Sequence, residues 1–297
     1  MKTSTTISPI HRIVGYEKAV EMIGRAGFDG WDFSLCDMWK YTWEGNYRNK
    51  TFFFNEECPL SKPDYLEFVR RLRRIGEDNG IVCDQSHAPY PLHIAKYNEC
   101  EYFFKRAIEC TAEAGGKICV IHPDNDATAE ENGEAYLKLL PFAREHGVKI
   151  ATENMWNWNV EEGRAIFAAC ASHEDFKAHL DYVNDEYFVA CLDVGHAEIM
   201  GDMTSAEKMI YTLKDGLQSL HIHDVDKRND NHEIPFSLSV DFEKIAKALR
   251  DINYKGWLTL EACNYITNKK FDESNIFEGV VELYKSAAKF EKMFLGE

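Results

Sequence analysis

Residues 187–196, YFVACLDVGH, decide how this chain is to be read. Phe188 to Leu192 is a short apolar run of strand-forming residues; it ends on Asp193, and His196 follows three residues later. A carboxylate and an imidazole at the mouth of a buried strand lose hydration unless a metal ion or a polar network compensates them. Other apolar runs end in the same way. Val120-Ile121 leads to His122, 148–152 to Glu153, Leu220 to His221 and His223, and 258–260 to Glu261. Strand ends that each carry one ligand-type side chain need a common point on which to converge.

Working outward, strand-like and helix-like stretches alternate along the whole chain. Strands are expected at 3–8, 28–33, from 81 toward His87, at 117–121, 148–152, 188–192, 217–222 and 257–260. Helical spacing appears at 16–26, 64–79, 99–114, 129–146, within 161–183, and at 204–215, 242–249 and 276–290, with Gly27, Gly80, Gly115, Gly147 and Gly216 at helix ends. Eight such pairs predict an α/β fold of one domain over 1–297, a (β/α)8 TIM barrel. No G-x-G-x-x-G follows a strand and no P-loop motif occurs, which argues against a doubly wound nucleotide-binding sheet. The segment at about 34–63 carries Trp39, Tyr41, Trp43, Tyr47, Phe52, Phe53 and Phe54. It reads as a long aromatic βα loop that folds over a pocket or packs against a partner subunit, the latter compatible with a homo-oligomer.

Apolar residues make up 45% of the chain, yet no run is long enough to span a membrane. The N-terminus lacks the apolar core of a signal peptide, and the nine cysteines include no C-x-x-C pair; together these point to a reducing cytoplasm. Fifty acidic against 34 basic residues give a formal charge of −16. Such a surface repels phosphate backbones, so no nucleic-acid partner is expected and a small neutral substrate is.

In a barrel of this kind the chemistry sits at the C-terminal ends of the strands, where His87, His122, Glu153, Asp193, His221, His223 and Glu261 fall. His221 and His223 are two apart and therefore share a face. Glu153, Asp193, a strand-seven histidine and Glu261 form an oxygen-rich set with one nitrogen, which suits Mn²⁺, Mg²⁺ or Co²⁺ better than a structural zinc. A metal there polarises a carbonyl and acidifies the neighbouring C–H, and the two glutamates remove and return the proton. Trp156 and Trp158 bracket the Glu153 loop, where flat rings either stack on a sugar or roof the barrel. The 225–240 loop has no glycine, which tells against a phosphate cradle and favours an unphosphorylated sugar or polyol. The acidic pairs 130–131 and 161–162 read as helix N-terminal charges. His93, His146, His173 and His179 fall in helices or their approaches, in solvated or capping roles.

The motifs His87-Ala88-Pro89-Tyr90, Ile121-His122-Pro123, Thr152-Glu153-Asn154, Cys191-Leu192-Asp193-x-x-His196-Ala197, His221-x-x-Asp224, Asp230-x-His232 and Leu260-Glu261 resemble the xylose isomerase-like barrel superfamily. That superfamily includes sugar isomerases and 3-epimerases, inosose dehydratases and the trinuclear-zinc AP endonucleases of the endonuclease IV type. For a single-metal sugar enzyme the resemblance implies Glu153, Asp193, His221 and Glu261 as ligands, with Glu153 and Glu261 also catalytic. It places His196 and Arg228 toward substrate and selects His221 over His223 as the ligand; His87, His122, His223 and Trp156, at the same mouth, are further candidates for substrate contact. It implies a metal-dependent isomerase or epimerase of an unphosphorylated ketose, aldose or inosose, with an inosose dehydratase-like lyase as a variant. The nine positions of the endonuclease pattern are also filled, by His87, His122, Glu153, Asp193, His196, His221, Asp230, His232 and Glu261, which makes Asp230 and His232 candidates for additional Zn²⁺. The acidic charge and the tryptophan-rich loop after strand five weigh against the endonuclease; retained sugar binding without catalysis is a third alternative.

Overall fold

The computed structural model describes residues 1–42, 51–90 and 92–297. Eight parallel strands form one sheet: β1 Thr3–Thr6, β2 Gly30–Ser34, β3 Val82–His87, β4 Ile118–Val120, β5 Lys149–Glu153, β6 Phe188–Asp193, β7 Leu217–His221 and β8 Leu258–Leu260. Their order in space is β7-β6-β5-β4-β3-β2-β1-β8, and all the pairings are parallel. Just past β7, Ile222 N–H donates to the Thr259 carbonyl at 2.9 Å and Glu261 N–H to the Ile222 carbonyl at 3.0 Å, which joins the two edges. The fold is a TIM barrel, with each expected strand within one to three residues of its place.

Apolar side chains fill the layer between strands and helices: Trp31 and Phe33 on β2 are fully buried among the helical faces. The alternate residues point down the barrel axis, and here the interior departs from the branched aliphatic filling usual for the fold. Ser4, Asp32, Asp84, Gln85, Ser219 and Thr259 are all buried, together with the small apolar group Val120, Ala151, Val189 and Cys191. A bulge between β2 and β3, where Trp31 pairs with Cys83 but Asp32 with Gln85, lets consecutive residues both turn inward. Asp84 then accepts from Ser4 Oγ at 2.6 Å and Thr259 Oγ1 at 2.8 Å, while Gln85 accepts from Ser219 across the barrel.

The helix expected within 161–183 is His173–Val183, preceded by an antiparallel pair, Asn157–Asn159 with Arg164–Ile166. Glu161 and Glu162 therefore sit in the turn of that pair, with their N–H groups on Asn159 Oδ1, rather than at a helix start. Glu131 does close a capping box with Thr128 at the head of Ala129–Glu145. His179 is buried rather than solvated; its Nδ1 meets the Asp175 carbonyl and its Nε2 meets Asn132, bolting two helices together. In the aromatic segment, Trp39–Thr42 pairs antiparallel with Thr51–Phe54, and Trp39 stacks on Phe52 at 4.4 Å against Phe103; Trp43 and Tyr47 lie outside the described residues. Among those residues no helix is long and apolar enough to cross a membrane.

Candidate active site

The strand ends place their polar residues around one mouth. Register sets Glu153 of β5 beside Cys191 of β6, and Asp193 of β6 beside His221 of β7. Glu153 is at the centre of the first group. Its Oε2 lies 3.1 Å from His221 Nδ1, 3.2 Å from His122 Nε2 and 3.8 Å from His87 Nε2. Glu261, just past β8, brings its Oε2 to 3.6 Å from the same His221 nitrogen. His87 Nδ1 donates to the Ala88 carbonyl, so its Nε2 offers a lone pair toward His122 at 2.8 Å.

A second group stands beside it. Asp193 turns both oxygens to His223 Nε2, at 3.0 and 3.1 Å, and its Oδ1 caps the His196 N–H at 2.7 Å. Asp230 reaches His232 Nε2 at 3.1 Å and His196 Nε2 at 3.5 Å, and the His223 and His232 rings stack 3.9 Å apart. His232 is anchored through Nδ1 on the Glu261 carbonyl. Thus Glu153, His221 and Glu261 come together with His87 and His122, while Asp193 joins His196, His223, Asp230 and His232. Trp156 lines the cavity, held by Asn125 Nδ2 on its carbonyl. Arg228 is exposed and outside the cavity wall, because Asp226 caps the Arg228 and Asn229 N–H groups and turns the loop outward there.

The two glutamates differ in charge state. Burial works against ionisation of Glu153, but His221 and His122 override it and hold the carboxyl well below its usual range. Burial pushes Glu261 up to about 7 against the pull of His221 and His232. Burial and the neighbouring His122 press His87 down to about 3, so it stays neutral. Several buried atoms have no hydrogen-bond partner among the described residues: Glu153 Oε2, His221 Nδ1, His223 Nδ1 and Asp230 Oδ1. Orphaned donor atoms converging at such distances fit a cation, and the sets His87/His122/Glu153, His87/His221/Glu261 and His196/His223/Asp230/His232 each offer atoms within 4.8 Å of one another.

A cavity of about 430 Å³ opens over these groups. Its far wall holds residues that the strand-end pattern did not single out. Arg12 is the only arginine or lysine among its described lining residues and is tied to Asp37 at 2.7 and 3.2 Å; Cys36, Asn264 and Thr267 also line the cavity. Gly195 also went unmarked, although a Cβ there would lie 2.0 Å from His223 Cε1. A small residue squeezed between two motif positions in D-V-G-H was the available signal.

The family description xylose isomerase-like TIM barrel matches residues 51–284. An uncharacterised protein of Methanocaldococcus jannaschii, MJ1311, is 21% identical over 261 residues, covering 83% of this chain and 78% of that protein. Among solved structures, a D-tagatose 3-epimerase-like protein superposes with a TM-score of 0.70 at 17% identity, covering 100% of this chain and 99% of the other. The IOLI protein with a zinc atom superposes with a TM-score of 0.68 at 17% identity, covering 99% and 98%.

Proposed function

Because the chain belongs to the xylose isomerase-like TIM barrel family, we propose that it is a divalent-metal-dependent sugar isomerase or epimerase acting on an unphosphorylated ketose, aldose or inosose. The observation that carries this reading is the pair of glutamates that face one nitrogen of His221 from the ends of β5 and β8, Glu153 at 3.1 Å and Glu261 at 3.6 Å. Glu153, His221 and Glu261 would hold the cation, and Asp193 would join them as a fourth ligand by turning an oxygen away from His223; an oxygen-rich set suits Mn²⁺, Mg²⁺ or Co²⁺. A bound cation would polarise a substrate carbonyl and an adjacent hydroxyl. One glutamate takes the proton from the carbon next to the carbonyl, and the other returns one to the neighbouring carbon, oxygen or opposite face. His87, neutral, and His196 present ring nitrogens to substrate hydroxyls, and Trp156 offers a flat wall to a C–H face. Among the described lining residues the one arginine or lysine, Arg12, is already paired to Asp37.

Deuterium uptake from heavy water into a ketose or inosose tests the proposal. Glu261→Gln keeps the fold and much of the Mn²⁺ affinity but loses exchange by about 10²–10⁴-fold. Exchange at the wild-type rate makes Glu261 a ligand only and ends the two-base mechanism.

A second reading has its own observation. The histidine-rich sets His87/His122/Glu153 and His196/His223/Asp230/His232 fit additional zinc ions, as in a trinuclear phosphodiesterase of the AP endonuclease type. The −16 charge opposes it. Three zincs per chain together with nicking of abasic DNA would decide for this reading; one manganese or magnesium and no nicking decide for the sugar enzyme.

A further inference from the structure

Asp32 is a buried carboxylate that the chemistry above does not use. It points into the barrel from β2, one layer below the mouth, with no exposed surface, and neither of its oxygens has a hydrogen-bond donor among the described residues. A carboxylate in such a place is costly unless a cation or a donor faces it. The facing group is His221, whose Nε2 lies 3.7 Å from Asp32 Oδ2, slightly beyond hydrogen-bond length.

The two nitrogens of that ring have opposite surroundings. Nδ1 faces up the barrel, 3.1 Å from Glu153 and 3.6 Å from Glu261. Nε2 faces down, toward Asp32. A histidine that ligates a cation uses the lone pair of one nitrogen while a carboxylate or carbonyl takes the N–H of the other, which fixes both tautomer and ring plane. Two other polar neighbours are already committed. Asp84, lower in the barrel, accepts from Ser4 and Thr259. Cys191 is a fully buried thiol that burial pushes up to about 12, so it offers no anion.

We propose that Asp32 is a positioning residue: it takes the Nε2–H of His221 and so leaves the Nδ1 lone pair aimed at the point between Glu153 and Glu261. The inference rests on the metal-site reading of the previous subsection. It makes the barrel interior part of the site and explains why a charge stands where the fold usually packs an aliphatic side chain.

The test compares the wild type, Asp32→Asn and Asp32→Leu in three measurements. In Mn²⁺ titrations of the full chain, affinity falls in that order, by about 10–100-fold at the leucine, because the asparagine keeps an acceptor oxygen and the leucine has none. Thermal unfolding of the metal-free proteins is the control: Asp32→Asn keeps an acceptor for the Nε2–H and leaves stability near that of the wild type while Mn²⁺ affinity falls; a merely structural Asp32 loses stability in both variants and leaves affinity alone. In NMR of the metal-free wild type, His221 carries a downfield, slowly exchanging Nε2–H, assigned by its loss in His221→Asn and shifted upfield in Asp32→Asn. A wild-type ring protonated on Nδ1 with a bare Nε2, or unchanged Mn²⁺ affinity in both variants, overturns the proposal. A wild type that takes up no Mn²⁺ defeats the metal reading instead, and the Nε2–H resonance then decides the Asp32 contact alone.

Discussion

The two donor groups at the mouth are chemically alike but are held in place differently. Glu153, His221, His87 and His122 stand on or next to strand ends, so the register of the sheet fixes their separation. Asp230 and His232 arrive on the 225–240 loop. That loop is folded around Asp224, whose carboxylate accepts five backbone N–H groups, from Val225, Ser237, Leu238, Ser239 and Val240, at 2.8–3.1 Å. A ring of amides like this would bind a phosphate in another barrel; here an internal carboxylate fills it. The strand-borne donors are thus set by the sheet, whereas Asp230 and His232 depend on one buried anion.

The sharpest test of that contrast sets Glu153→Gln against Asp230→Asn. With the chemistry centred on the strand-borne group, Glu153→Gln loses deuterium exchange by about 10³-fold or more and Asp230→Asn by about 10-fold. A greater loss at Asp230 moves the centre to the loop. Asp224→Ala comes next. Five amides lose their acceptor, so the melting temperature should fall by the equivalent of about 3 kcal/mol, while crystallography shows His232 displaced and Glu153 in place. If His232 keeps its position, the lock is not Asp224.

Gly195→Ala should cost about 2 kcal/mol through overpacking, because its methyl displaces a His223 ring held between Asp193 and His232. Unchanged stability with His223 still on Asp193 would show the helix to be free to shift. The last test concerns the barrel stem, where the effect appears only as pH rises. Burial pushes Asp84 up to about 7, above its unfolded value, so the neutral acid stabilises the fold at low pH and that contribution drains away as pH rises from about 4 to 7. Asp84→Asn should match the wild type near pH 4 and gain on it steadily as pH rises, by up to about 4 kcal/mol at pH 8 in thermal unfolding. An equal difference at both pH values would contradict the assignment.

The eight strands and their polar ends were legible because the signals are local: apolar runs, glycine stops and a ligand-type residue closing each run. The strand-end donors were legible for the same reason, whereas Asp230 and His232 were named only through the family resemblance. The division of the donors was not legible. Asp193 follows its own strand into the mouth, yet its oxygens go to His223 and the His196 N–H, a choice made by the second residue past β7 and the short helix Val194–Glu198. Arg228 and Asp230 are two residues apart, and only the Asp226 turn sends one out and the other in. Asp32 reads as one polar residue in FDGWDF, and its partner is 189 positions away on β7.

Sequence alone determined the alternation of strand and helix, hence the barrel and the end of it that carries chemistry, because period and stop residues act over a few neighbouring positions. The tertiary structure decided which donors share a centre, what lies beneath them and what fills the amide ring after β7. Those outcomes depend on where bulges reset the inward parity of β3 and β7, and on which distant side chains the closed barrel brings within hydrogen-bond reach.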